Sequence, residues 1–186
     1  MTANPPFPPE SSRLALRLVE AEHLEALHPI NADEEVSRFL PYTAWKSPAD
    51  AIAWFERVRK RRIEDGPVQF VIIERQRQTV IGFCLLFGVD KVHGRAEVGY
   101  ALGRQHWGAG FMHEALSALL DFAFAELGLR RIEAQTDPLN AASNKVLLRL
   151  GFKQEGLLRE RAIIQGQAKD SLFFGLLRKE WIVSRL

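Results

Sequence analysis

Cysteine is almost missing from this chain of 186 residues: there is one, Cys84. No intrachain disulfide can form, and a cysteine-based zinc site is excluded. Nor does any apolar run approach the roughly 18 residues that a membrane span requires. The start, Met1-Thr2-Ala3-Asn4-Pro5-Pro6-Phe7-Pro8-Pro9, has neither the basic opening nor the apolar stretch of a signal peptide. A surplus of one charge is absent too, with 25 Lys and Arg against 23 Asp and Glu. The net charge of +2 disfavours bulk nucleic-acid binding, which rests on counterion release by many cations. Five histidines (His23, His28, His93, His106 and His113) show no metal-ligand spacing. The expectation is a soluble, cytoplasmic protein without a metal.

What the chain does have is core-forming material, 47% hydrophobic and 10% aromatic. One domain fits this length. Residues 1–12 read as a flexible, proline-rich tail, 13–181 as the folded domain, and 182–186 as a short C-terminal tail. Arg13 to Leu18 alternates as a strand does. Helical spacing follows around Ala21–Leu27, then a turn-rich passage through Pro29, Pro41 and Pro48. Ala51, Trp54, Phe55 and Val58 recur on one face of a helix over Ala49–Ile63.

Strands are expected at Val68–Glu74, Thr79–Phe87 and Ala96–Leu102. Cys84 falls in the second, where a buried thiol acts as a small hydrophobe. A glycine-rich loop, Gly103–Gly110, leads into a helix from Phe111 to Leu127. Its Met112, Leu116, Leu119, Ala123 and Leu127 form a wide apolar stripe, so it should lie on a sheet. A strand at Arg131–Thr136 and a helix at Ala141–Leu150 follow, with Gly128 and Gly151 as the helix stops. Phe152–Gln154 and Asp170–Leu177 read as two last strands with a long loop or hairpin between. The fold class is α/β, a mixed and strongly twisted sheet of about six or seven strands with helices on both faces.

Chemistry points to Gln105-His106-Trp107-Gly108-Ala109-Gly110. Two glycines between a strand and a helix let backbone N–H groups converge at a helix N-terminus, which suits a phosphate. A plain strand-to-helix joint also uses glycine, so spacing must discriminate. The dinucleotide fingerprint G-x-G-x-x-G is absent because His113 stands at its last position, and no Gly-Lys-Ser/Thr triplet exists. What remains is Gln-x-x-Gly-x-Gly.

That loop, followed by Phe111-Met112-His113-Glu114-Ala115, resembles the acetyl-CoA pyrophosphate loop of the GNAT superfamily of N-acetyltransferases. Further segments resemble its branch of ribosomal-protein N-terminal (alanine and serine) acetyltransferases. They are Arg38-Phe39-Leu40-Pro41-Tyr42, Ala96-Glu97-Val98-Gly99-Tyr100, Asn140-Ala141-Ala142-Ser143-Asn144-Lys145-Val146-Leu147, Leu150-Gly151-Phe152 and Asp170-Ser171. The likeness runs from about Arg13 to Trp181.

The resemblance implies acetyl-CoA as cosubstrate, no metal, and a primary-amine acceptor, with the α-amine of a protein N-terminus favoured by the branch. It implies that the strand before the loop splays from its parallel neighbour, so that Tyr100, Ala101 and Leu102 border the pantetheine arm. The amides of Trp107, Gly108, Ala109, Gly110, Phe111 and Met112 would hold the pyrophosphate, with Gln105 fixing the turn. Asn140 is placed either to contact the cofactor or to cap its helix. Glu97 is the candidate base and acceptor contact, against the alternative of a surface carboxylate paired with Arg95 or Arg131. Many members carry a tyrosine acid where this chain has Leu147. Ser143, one turn earlier on the same face, is the candidate proton donor or thiol contact, against a helix-start serine bonded to backbone. Tyr100 is expected to pack near the cofactor arm rather than to act as the acid.

Trp45, after a turn, is the candidate for a substrate wall, while Trp54 and Phe55 are expected in the core. Arg57-Val58-Arg59-Lys60-Arg61-Arg62 reads as a solvated helix face more than a nucleic-acid patch. The family also allows a homodimer, by analogy only. Two other readings stay open: a small-amine acetyltransferase acting on polyamines, amino acids or aminoglycosides, and a non-catalytic acyl-CoA-binding module, suggested by Leu147.

Overall fold

Alternation of Leu14, Leu16 and Leu18 with smaller or polar neighbours makes the first strand, β1 (Leu14–Leu18). Six more follow: β2 (Val68–Glu74), β3 (Thr79–Asp90), β4 (Arg95–Leu102), β5 (Arg131–Thr136), β6 (Lys153–Ile164) and β7 (Gln167–Leu177). They form one seven-stranded sheet in the order β1-β2-β3-β4-β5-β7-β6. All neighbours pair antiparallel except β4 and β5, which are parallel. The helices are α1 (Leu24–Ala32), α2 (Glu34–Ser37), α3 (Pro48–Ile63), α4 (Phe111–Ala125), α5 (Ala141–Arg149) and α6 (Arg178–Val183). This computed structural model describes residues 11–63 and 68–183.

The sheet has a core on each face. On one side α4 lays Met112, Leu116, Leu119 and Ala123 against Leu14, Phe70, Leu86, Val98 and Ile132. Each large side chain buried this way contributes about 1.5–3 kcal/mol before entropy is counted. Leu147 of α5, Leu150 at its C-cap and Trp181 of α6 complete that layer. On the other side Leu27, Ile30, Trp54 and Phe55 from α1 and α3 cover Val71, Phe83 and Ala101. Helices on both faces of a mixed, seven-stranded sheet agree with the fold class read from the sequence.

Several local expectations need correction. The turn-rich passage does not begin at Pro29, because α1 continues through it to Ala32. Of the two connections left open between the last strands the structure has the hairpin, and both strands run further into it than Gln154 and Asp170, the ends expected from the sequence. β6 and β7 pair from Lys153 to Gln167, and the turn residues Gln165 and Gly166 both sit at positive φ, +52° and +78°. Two successive residues at positive φ match the twist of a hairpin. β6 is exposed along most of its length, so it lacks the in–out pattern that betrays a half-buried strand. The expected N-terminal tail lies outside the described residues up to residue 10. Ser11 and Ser12 are described, and they hydrogen-bond Leu14 and Glu114 respectively. Ile182 and Val183, expected in the C-terminal tail, belong to α6.

Among the described residues no helix is long and apolar enough to cross a membrane. The basic run lies at the end of α3 and is mostly exposed. Arg59 pairs with Glu56 at 2.9 Å, and Arg62 reaches Glu20 at 2.8 Å and the Val19 carbonyl at 2.6 Å.

Candidate active site

β4 and β5 begin side by side and then separate. Their ladder has three rungs, Arg95↔Arg131, Ala96↔Ile132 and Glu97↔Glu133, although β4 runs on to Leu102 and β5 to Thr136. Beyond Glu97 a split opens in the middle of the sheet. Gly103 N donates to Ile81 O at 2.8 Å, and this sets which backbone groups face the opening. Peptide groups alternate along a strand, so Val98, Tyr100 and Leu102 turn theirs toward the split. Ala101 turns its own toward Phe83 of β3 and is buried. The Leu102 carbonyl is occupied by the Trp107 indole at 2.7 Å. Of the three positions expected to border a pantetheine arm, Tyr100 therefore presents free backbone groups. Val98, which sequence reasoning did not single out, joins it with its carbonyl, while its N–H closes the last rung of the ladder on Glu133.

The split leads into the glycine loop. A short 3₁₀ turn, Arg104–His106, carries Gln105 with its side chain exposed. Gly108 and Gly110 adopt φ of +76° and +80°, which a side chain would strain. Gly110 is the N-cap of α4 and Glu114 N closes the first helical bond on its carbonyl. The amides of Phe111, Met112 and His113 thus open a helix with no preceding turn to accept them, and the positive end of its dipole sits there.

Arg13, the residue before β1, straps this loop. Its Nε donates to Glu114 Oε2 at 2.6 Å, its Nη1 to the Ala109 carbonyl at 3.2 Å, and its guanidinium lies 4.4 Å over the Phe111 ring. Sequence reasoning passed over both Arg13 and Glu114. Nothing local signals a pair 101 residues apart.

Glu97 stands at the last rung of the β4–β5 ladder, on the sheet face that carries α1 and α3. It is half-buried and accepts a hydrogen bond from Gln135 Nε2 at 3.0 Å across the base of the split. Burial raises its pKa, the Gln135 hydrogen bond opposes this, the charge of Glu133 raises it further, and Arg161 on β6 lowers it. The net direction is upward. The surface pairings that competed with a catalytic reading go to other partners: Arg95 binds Asp90 and Glu133, while Arg131 binds Glu133 and Glu155.

On the opposite face, the Tyr100 hydroxyl and Ser143 Oγ lie 2.7 Å apart, bridging β4 and α5 beside the open part of the split. Burial pushes the Tyr100 phenol up to about 12, against the hydrogen bond with Ser143. Asn140 caps α5, its Oδ1 accepting the Ser143 amide at 3.1 Å. The side-chain oxygen is therefore used structurally. Leu147, where many relatives carry a tyrosine, is fully buried in the α4-side core.

Trp45 requires correction. It is 7% exposed and packs 5.5 Å from Trp54 in the core, with His28 on its other side. Its backbone amide is anchored on the Asn31 carbonyl, which pulls the ring inward from the turn. The surface over this core is made by the segment 31–42 and the β6–β7 turn. Tyr42 bonds Asn31 Oδ1 at 2.9 Å, and Gln165 Nε2 reaches the carbonyls of Ser37 and Tyr42 at 3.4 and 3.5 Å. Trp54 and Phe55 are in the core, as expected. Cys84 is fully buried, and burial pushes its thiol far above the ordinary range.

A parallel pair that parts beside a glycine-opened helix is an acyl-CoA geometry, and the family model for the Acetyltransferase (GNAT) domain matches residues 13–153. The chain is a GNAT-family N-acetyltransferase. It is 37% identical over 171 residues to an uncharacterized N-acetyltransferase, p20, of Bacillus licheniformis, covering 92% of this chain and 96% of that one. It is 26% identical to the ribosomal protein uS5-alanine N-acetyltransferase of Escherichia coli, over 94% of this chain and 93% of that one. In fold it matches the spermidine N-acetyltransferase of Vibrio cholerae, solved with CoA and spermine. The TM-score is 0.81 at 24% identity, covering 92% of this chain and 99% of that one. Family membership makes acetyl-CoA the cosubstrate and an amine the acceptor.

Proposed function

We propose that this N-acetyltransferase modifies the α-amine of a protein or peptide N-terminus by direct attack. The observation that carries the reading is the split between β4 and β5, with Glu97 on one face of the sheet and the Tyr100–Ser143 pair on the other. When bound, acetyl-CoA supplies an acyl group on a thioester whose C–S bond breaks as the new C–N bond forms. The Val98 carbonyl and the Tyr100 backbone offer it pairing, and the amides from Gly108 to Met112 offer donors to its pyrophosphate. The Trp107 amide, also expected in that set, is taken by the Arg104 carbonyl at 3.1 Å. Glu97 accepts the proton that the amine must lose, directly or through a water. Ser143 is the hydroxyl that donates to the departing sulfur in this reading, supported by its place beside Tyr100 at the split. Cys84, sealed in the core with its thiol held protonated, has no route to an acyl-enzyme.

The acceptor class follows from charge and basicity. An α-amine with a pKa of about 8 is partly neutral at pH 7, whereas a lysine amine near 10.4 is not. A single carboxylate suits the former. Arg161 is close enough for its positive charge to act on Glu97, and a positive charge beside the base opposes a polycation.

Calorimetry with acetyl-CoA tests the cosubstrate site. Wild type should bind in the micromolar range, and Gly110→Trp, placing a bulky residue at a positive φ against Arg13, should abolish binding. A folded wild type that does not bind acetyl-CoA overturns the reading. The acceptor is then decided by comparing kcat/KM for Ala- and Ser-initiated peptides with that for spermidine. Preference for spermidine would replace the peptide assignment by the polyamine one, the activity named for the Vibrio cholerae relative.

A further inference from the structure

We infer that Tyr100 is a positioning residue for the leaving group: its phenol donates to Ser143 Oγ and thereby aims the serine's own proton into the split. The inference rests on the acetyl-transfer reading and assigns a task to a tyrosine that the sequence leaves as packing.

Three observations carry it. The first is the 2.7 Å contact itself, which joins the β4 segment that has no β5 partner to the first turn of α5. The second is the chemistry of the two hydroxyls. A phenol, with a reference pKa of about 10, is a far stronger donor and weaker acceptor than an alkyl alcohol. The proton in the contact therefore belongs to Tyr100, and Ser143 accepts it. The third is how completely Ser143 is fixed. Its amide is held by Asn140 Oδ1, and among the described residues its Oγ has no hydrogen-bond partner besides Tyr100. A helix-start serine would ordinarily turn its hydroxyl proton back to a carbonyl four residues earlier. Here the phenol fixes the oxygen's acceptor side, and the serine's O–H remains to be spent on what lies in the split.

Burial keeps Tyr100 protonated through the whole working pH range, so the phenol is a constant donor and never an acid. No proton leaves either hydroxyl. The electron pair of the breaking C–S bond collects on sulfur, and the Ser143 O–H stabilises it as a hydrogen-bond donor. The amine's proton goes to Glu97 on the opposite face of the sheet. The arrangement explains how the α5 position of Leu147 can be given over to the core. The donor function is moved one turn earlier, and the weak donor there is oriented by a phenol from the adjacent strand.

The test is a double-mutant cycle of Tyr100→Phe and Ser143→Ala, both of which keep the local packing. Each single variant should lower kcat about tenfold with little change in KM for acetyl-CoA, and the double variant should be no slower than Ser143→Ala alone. A second readout needs no turnover. CoA bound to each protein is titrated by the ultraviolet absorbance of its thiolate. The thiol should ionise about one pH unit later in Tyr100→Phe and in Ser143→Ala than in wild type. Additive losses in the double variant, an unchanged thiol titration, or a Tyr100→Phe enzyme as fast as wild type overturns the inference while leaving acetyl transfer intact. A wild type that neither binds acetyl-CoA nor turns over removes the acetyl-transfer reading as well.

Discussion

Glu97→Gln should lower kcat by about 10²- to 10⁴-fold, the usual contribution of a positioned base, without destabilising the protein at pH 7. The two halves of this result have one cause. Burial is the largest influence on Glu97 and raises its pKa in the folded chain. Between its unfolded and folded values the native state therefore binds more protons than the unfolded state. Stability falls as pH rises through that window, and above it the ionised carboxylate is a standing cost. A neutral glutamine relieves that cost and retains the Gln135 neighbour. The wild-type rate should in turn rise with pH as Glu97 ionises, on a limb displaced above the ordinary carboxylate range. Thermal melts at pH 7 and pH–rate profiles from pH 5 to 9 check both. An undiminished kcat would mean that water, rather than Glu97, takes the proton.

A methyl group added at Gly82 should cost both stability and cosubstrate binding. Gly82 of β3 pairs with Leu102, the last residue of β4. A Cβ built there would lie 2.4 Å from the Ala101 carbonyl oxygen and 3.0 Å from Leu102 Cα, both backbone atoms. Neither can swing away as a side chain would, so β4 itself must move. Overpacking of this kind costs about 1–3 kcal/mol and sometimes more. For a chain of this length that is a fall in Tm of roughly 2–4 °C per kcal/mol. The displaced segment is the border of the split, so acetyl-CoA affinity should fall together with the denaturation midpoint of Gly82→Ala. A variant melting with wild type would show that β3 and β4 are less tightly joined than the 2.4 Å approach requires.

The parts of the fold legible from the sequence were those whose cause lies within a turn or two of chain. The apolar stripe of α4 at three- and four-residue steps placed that helix on the sheet. Gly108 and Gly110 marked the backbone conformation that opens it, and both do sit at positive φ. The length of the β6–β7 hairpin and the place of its turn were not legible. Its turn begins with Gln165, a residue whose type does not advertise positive φ, and β6 is an exposed edge strand without alternation. Trp45 misled for a similar reason, since the prolines around it suggested exposure. Only the packing of Trp54 and His28 shows which way the ring turns.

Composition, hydrophobic periodicity and glycine spacing pointed by themselves to the α/β class and to an anion-binding loop, and the resemblance of that loop and of the segments around it pointed to acyl-CoA and the family. Each is a property of neighbouring residues or of their sum. The site was decided in three dimensions. Glu97 meets Gln135 across 38 positions, Tyr100 meets Ser143 across 43, and Arg13 meets Glu114 across 101. Such pairs exist because the sheet parts between β4 and β5 and because α4 and α5 are pressed onto one face of it. A side chain's chemistry is written in its residue type. The partner that tunes it is chosen by burial and register, which no local stretch of sequence contains.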